Sequence, residues 1–402
     1  MRSLSSFIKS FLLLEGGMGG HMSHIIDNED FTGDDLKQLV QDLFSNKIEH
    51  MKEKLDGMNI NATMNVNGEI VFIRNNKDLN SERGGMTIDD MAMKWASKPD
   101  VAKTFLSAGH TIEQVFKKIP NDWFNIDDET KRIVNCECIV AGRTNVMLYA
   151  DDRVAFHGTA IYKLKDGNWV LASETEGLPK EIEKACENVD KTKPRPDLII
   201  KDLQKSTKLA NEFCNEIDKL FKDEGLKSSD TIDALKFERF KNICPEWVDP
   251  NDVYRRFFYN DKSVKLNDLK KKYASNTNDL KELDGKTYKD LVYKTMLPID
   301  NLFLRIGNAL INLCSGFTND SDIDNIIAQL KSDVKQIEAE IKSKSVDDDT
   351  LAKFQKNMQR LEMLNNELNA AEGIVFTYKG RLMKCTGSFA PMNQIIGLRF
   401  NL

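Results

Sequence analysis

Lys54 opens the run Lys54-Leu55-Asp56-Gly57, which stands directly ahead of a stretch with strand character. A lysine attacks phosphorus only as the free amine, so this chemistry needs neighbouring cations or a dry pocket that disfavours the ammonium. A glycine close by lets a ligand approach the backbone. Taken alone, such a run is more often a solvated lysine before a turn, so other residues must carry part of the argument.

Glu137 lies between apolar residues in Asn135-Cys136-Glu137-Cys138-Ile139. An ionised carboxylate there is costly unless it has a partner: a ribose hydroxyl, a cation, or an internal salt bridge to Arg74. Glu372 ends a helical stretch and opens the strand-like run Gly373-Ile374-Val375-Phe376, an edge-of-pocket place for a carboxylate that binds Mg²⁺ or orients a lysine. Lys384, on the next strand, could balance phosphate charge, although a lone strand lysine more often meets solvent. Phe156, in Val154-Ala155-Phe156-His157, is an aromatic of the kind that usually fills a core. His21-Met22-Ser23-His24 has metal-ligand spacing but no evident third ligand.

The elements that must position these groups can be read from pattern. Segments 59–66, 69–74, 133–141, 146–149, 154–164 and 168–173 read as short strands broken by Asn67-Gly68 and Asp166-Gly167, both hairpin signals. Helical texture covers 34–50 and 87–118, and a short amphipathic helix is expected from Leu4 to Leu12. Beyond 176 the chain turns helical and charged. Ile323 to Ile341 and Leu351 to Leu368 predict an antiparallel helical hairpin. Strand returns at 374–378 and, after Lys379-Gly380, at 381–384; this last hairpin is expected to complete the first sheet. The division is thus 1–49 as a helical extension, 50–175 as the first part of an α+β core, 176–371 as a helical insertion, and 372–402 as the core's last strands.

The chain has 402 residues, 41% of them hydrophobic, enough for a large core. Its formal charge of −6 leaves no global pull onto nucleic acid or anionic membrane, so any such contact must be a local patch. Arg255-Arg256-Phe257-Phe258-Tyr259 and Lys270-Lys271-Lys272-Tyr273 interleave cations with aromatics, as single-stranded nucleic acid would require; an amphipathic helix with a solvated basic side reads equally well. Seven scattered cysteines argue against a zinc site or disulfide framework. Residues 1–15 lack the cleavage site of a signal peptide, and no window reaches the ~18 apolar residues of a spanning helix. A cytoplasmic location is expected.

In order, these positions resemble the motifs of the covalent nucleotidyltransferases that include ATP-dependent ligases and mRNA-capping enzymes. The resemblance implies an antiparallel-sheet, ATP-grasp-like ligase core, ATP and Mg²⁺ as cofactors, and Lys54 as the nucleophile that takes AMP. It implies nucleotide contacts from Asp56, Gly57, Asn59 and Arg74, ribose binding by Glu137, purine stacking by Phe156, Mg²⁺ binding by Glu372, and charge balance from Lys384. Asn59 stands where many DNA ligases have arginine, which tilts the expected partner to RNA. Lys384 is followed by Cys385-Thr386 where the family commonly has a second lysine. The few residues after it leave no room for the OB domain of DNA ligases and capping enzymes. The resemblance covers about 50–175 and 370–390. The glycine-histidine opening and Gly387-Ser388-Phe389-Ala390-Pro391 look like bacteriophage RNA ligase-like proteins, which would place the protein in a host cytoplasm. A DNA nick ligase, or a non-catalytic nucleic-acid-binding or structural protein that keeps this fold, are the other readings.

Overall fold

A computed structural model of the chain describes residues 23–140, 149, 151–175, 178–192, 197–244, 249–258, 265, 268, 271–272, 285–317, 332, 335, 339 and 371–387. The expected helix at 4–12 and the helical hairpin at 323–369 lie outside these residues but for isolated positions. The architecture is mixed α+β with antiparallel sheets.

In chain order the strands are β1 (Ser23–His24), β2 (Lys52–Lys54), β3 (Met58–Met64), β4 (Ile70–Ile73), β5 (Asn125–Asp127), β6 (Thr130–Ile139), β7 (Arg153–Lys165), β8 (Asn168–Thr175), β9 (Ile199–Ile200), β10 (Cys314–Ser315), β11 (Gly373–Tyr378) and β12 (Arg381–Thr386). The helices of seven residues or more are α1 (Gly33–Phe44), α2 (Ile88–Lys94), α3 (Pro99–Phe116), α4 (Lys180–Cys186), α5 (Leu203–Asp223), α6 (Ile232–Ile243), α7 (Pro250–Phe258) and α8 (Gly285–Leu313).

The larger sheet runs β4-β3-β6-β7-β8, with β5 added on β6. Asn67-Gly68 lies in a longer β3–β4 loop in which Gly68 alone takes positive φ (79°), whereas the β7–β8 turn behaves as its sequence demands. Asp166 and Gly167 both take positive φ (51° and 75°), the backbone that a tight β7–β8 hairpin needs. Alternation sends Ile60, Ala62, Val134, Cys136, Cys138, Val154 and Phe156 onto α3, where they meet Phe105, Ile112 and Phe116. The opposite face carries Asn59, Asn61, Asn135 and Glu137.

The final hairpin does not complete that sheet. Lys379 (φ 50°) and Gly380 (φ 70°) turn β11 into β12 as expected, but β11 pairs with β2, and β12 pairs with β1 in parallel, giving a separate four-stranded sheet ordered β1-β12-β11-β2. One face, with Ile374, Phe376, Met383 and Cys385, is buried against α1, α5 and α8. α1 is started by a reciprocal cap: Thr32 Oγ1 accepts from the Asp35 amide (3.1 Å), and Asp35 Oδ2 accepts from the Thr32 amide (2.9 Å). Its buried stripe of Leu36, Leu39, Val40, Leu43 and Phe44 meets Phe213, Ile217 and Phe221 of α5. The chain crosses from one sheet to the other once within three residues, at Leu55-Asp56-Gly57. No helix among the described residues is long and apolar enough to cross a membrane.

Candidate active site

The crossover is where the expected chemistry converges. Antiparallel pairing sets Lys54 across from Gly373 and Lys52 across from Val375. Glu372 immediately precedes β11, so the pairing that aligns Lys54 also delivers the carboxylate: Lys54 Nζ donates to Glu372 Oε2, a residue 318 positions away. The two side chains are only 17% and 13% exposed, so this ion pair is partly buried and better shielded from water than a surface one. Gly373 is required for it, because a Cβ there would stand 2.5 Å from the Cys385 carbonyl oxygen in β12. Burial raises the Glu372 pKa above the usual carboxylate value, opposed by Lys54. Lys384, across β11 from Lys52 and on the same face, has its pKa lowered by burial and further by Lys54.

The next two residues tie the crossover to the larger sheet. Asp56 is buried, and its amide donates to the Tyr149 hydroxyl (2.9 Å). The Gly57 amide donates to Glu137 Oε1 (3.0 Å), and Asn59 lies directly across from Glu137. This settles how the mid-strand carboxylate is satisfied: it caps the loop that follows Lys54. Its second oxygen faces His157 Nε2 at 3.4 Å. The alternative partner, Arg74, does not bridge to it. The Arg74 guanidinium lies over the Phe105 ring (5.4 Å) and donates to the Asn59 carbonyl, so it reaches the site only through that backbone.

Phe156 does not join the cluster. It is 8% exposed, packed near Phe116 (ring centroids 6.5 Å), on the α3 face of the sheet with Cys136. A β-bulge at this point leaves His157 as the extra residue of β7, and that histidine, not the phenylalanine, faces Glu137. As a purine-stacking residue Phe156 is therefore corrected to a core residue.

Three groups that sequence reasoning did not assign to the site belong here. Tyr149 stays a neutral phenol, its pKa pushed far up by burial and then by the charges of Glu53 and Asp56. His24, read only as half of a weak metal motif, pairs with Lys384 on the small sheet. Asn135 and Asn61 extend the already expected Asn59 into an amide ladder across β3 and β6: Asn59 Nδ2 donates to Asn135 Oδ1 (3.1 Å) and Asn135 Nδ2 to Asn61 Oδ1 (3.0 Å), leaving the buried Asn61 Nδ2 without an acceptor.

Among the described residues no cluster of three or more His, Cys, Asp or Glu side chains is placed to hold a metal ion. Glu372 retains one oxygen beyond the one that Lys54 takes. Mg²⁺ is commonly held by one or two carboxylates together with substrate phosphates, so this donor set fits a magnesium carried in with a nucleotide and not a cage built from protein alone. His21 lies outside the described residues. In α7, Phe258 packs against Phe240 of α6 (5.5 Å between centroids) beside Tyr254, which draws that one ring away from the expected nucleic-acid surface.

No family model, no curated protein and no solved structure matches this chain.

Proposed function

We propose that the protein is an ATP-dependent nucleotidyltransferase that links AMP to Lys54 and passes it to a polynucleotide 5′-phosphate end for joining, with RNA as the preferred partner. The observation that carries this reading is the largely shielded Lys54–Glu372 pair. It joins two motif residues from opposite ends of the chain, beside Lys384 and one short loop away from Glu137.

The bond to Glu372 orients Nζ and gives its proton a destination, since a carboxylate whose pKa is raised by burial is a better proton acceptor than an exposed one. The free amine attacks the α-phosphorus. The Nζ–P bond forms, the bond from that phosphorus to the bridging oxygen of the β-phosphate breaks, and pyrophosphate leaves with the electron pair. The nitrogen sheds its second proton to the departing pyrophosphate or to solvent. Lys384 supplies positive charge on the same face as the nucleophile, where charge develops on the phosphates. A bound Mg²⁺ would neutralise phosphate charge beside Glu372. The tilt to RNA rests on Asn59, an amide where many DNA ligases place an arginine.

Incubation with labelled ATP and Mg²⁺, without nucleic acid, tests the first step. The expected product is a covalent AMP adduct with phosphoramidate behaviour, stable to alkali and released by acid, and absent from Lys54→Ala. Transfer to nicked RNA in preference to nicked DNA supports the assigned partner, and the reverse preference makes the protein a DNA nick ligase. No adduct on the wild-type protein, with nucleic-acid binding retained, leaves the non-catalytic reading.

A further inference from the structure

The small sheet brings beside Lys384 a histidine that the mechanism above leaves without a role. β1 pairs in parallel with β12, setting Ser23 across from Met383 and His24 across from Lys384. Directly paired residues project to the same face of a sheet. The imidazole therefore stands beside the Lys384 ammonium on the face that carries Lys52 and Lys54, away from the core formed by Met383 and Cys385.

This placement is held from several sides. Ser23 Oγ donates to the Leu382 carbonyl (3.2 Å), and the His24 amide donates to Asp27 Oδ2 (2.7 Å). Asn28 Nδ2 donates to the His24 carbonyl (3.1 Å), while Arg381 of β12 donates to Asn28 Oδ1 (3.3 Å). The ring is partly buried. Burial first, then Lys384, and in smaller measure Lys54, hold its pKa below the ordinary histidine value, with Asp27 opposing. At neutral pH it is thus an uncharged ring with one N–H to donate, in a row of ammonium groups. Across the sheet, from β2 through β11 and β12 to β1 at the far edge, Lys52, Val375, Lys384 and His24 stand level, and the nucleophile Lys54 lies two residues along β2 from Lys52 on the same face. A chain of phosphates whose α-phosphorus meets Lys54 would run outward along that row.

We propose that His24 is a phosphate-contacting residue of the nucleotide site, donating from its ring to the β- and γ-phosphates of ATP and to the pyrophosphate that departs. The assignment rests on Lys54 nucleotidyl transfer. It differs from a merely structural role in one measurable way: it concerns the outer phosphates and leaves AMP alone.

The test compares wild type with His24→Ala, the ring-retaining His24→Phe, and His24→Gln, which keeps an N–H donor. Dissociation constants for ATP, inorganic pyrophosphate and AMP are measured by calorimetry on the full chain. A hydrogen bond to a charged group predicts weakening of about 10- to 100-fold for ATP and pyrophosphate in the alanine and phenylalanine variants, with AMP changed by less than about twofold and partial rescue by glutamine. Pyrophosphate-driven discharge of preformed lysyl-AMP should slow in the same variants. Equal loss for ATP and AMP makes His24 structural, and unchanged ATP affinity removes it from the site; either result overturns the assignment. Should the alanine variant fail to fold, the phenylalanine variant carries the comparison. Absence of lysyl-AMP in the wild type defeats the nucleotidyltransferase reading itself, whereas adduct formation with unaltered ATP binding in the variants defeats only the His24 assignment.

Discussion

Replacing Gly57 by alanine perturbs the joint between the two sheets without removing a charged group. The added Cβ would stand 2.7 Å from the Cys138 carbonyl oxygen, 2.8 Å from Glu137 Cγ and 3.0 Å from Ile139 Cγ1. The carbonyl belongs to the backbone of β6 and has little freedom to yield. Ordinary contact therefore requires the 55–57 loop to withdraw by about 0.5–1 Å. Withdrawal stretches the 3.0 Å bond from the Gly57 amide to Glu137, a hydrogen bond to a charged group worth about 1.5–3 kcal/mol. Staying put instead costs about 1–3 kcal/mol of overpacking. Relaxation exchanges one penalty for the other, so the expected loss is about 2–3 kcal/mol. In a chain of this size that corresponds to a Tm drop of several degrees. Because Lys54 lies three residues upstream, a shift approaching 1 Å is expected to slow single-turnover adduct formation by about 100-fold. Calorimetry and a quenched time course with labelled ATP check both numbers. A Gly57→Ala protein with wild-type Tm and wild-type adduct rate would refute the close packing from which they are derived.

Three further outcomes are expected. Glu372→Gln removes the charge from a mostly buried pair; it should lower stability by up to about 3–5 kcal/mol and abolish adduct formation, and a stable, active variant would contradict the assigned proton acceptor. Phe156→Leu should lower stability by about 1–2 kcal/mol and leave ATP affinity unchanged, whereas a selective loss of ATP affinity would return that ring to the nucleotide site. The His24 pKa lies below its unfolded value, so the folded state binds fewer protons in that window. Its contribution is then fully present above the unfolded pKa near 6.5 and is lost as pH falls toward the folded value. The wild-type Tm should accordingly fall more between pH 7.5 and pH 5 than that of His24→Gln, and parallel curves would contradict the placement of the ring.

The parts of this molecule that sequence revealed are those set by local signals. Asp166-Gly167 and Lys379-Gly380 demand positive φ and mark their hairpins. The 3.6-residue spacing of Leu36, Leu39, Val40 and Leu43 marks α1. Lys54 and Glu372 are marked in the sequence by their types, their neighbours and their order, and the structure brings them into contact. What stayed hidden depends on pairing over distance. β2 and β1 are three and two residues long, too short to show any alternation, so nothing in their sequences announces that they flank the last hairpin in a sheet of their own. The bulge that exchanges the facing of positions 156 and 157 arises from the register of β7 against β6, which one strand's sequence does not encode. Tyr149 reaches the site only because the crossover at Asp56 passes beneath its hydroxyl.

The most direct test of the central claim is mass-spectrometric mapping of the protein after incubation with ATP and Mg²⁺. The account predicts AMP on the peptide that contains Lys54, attached at its side-chain nitrogen, and no modification anywhere in Lys54→Ala. AMP on another residue, persistence of the modification in Lys54→Ala, or an unmodified wild-type protein would contradict it.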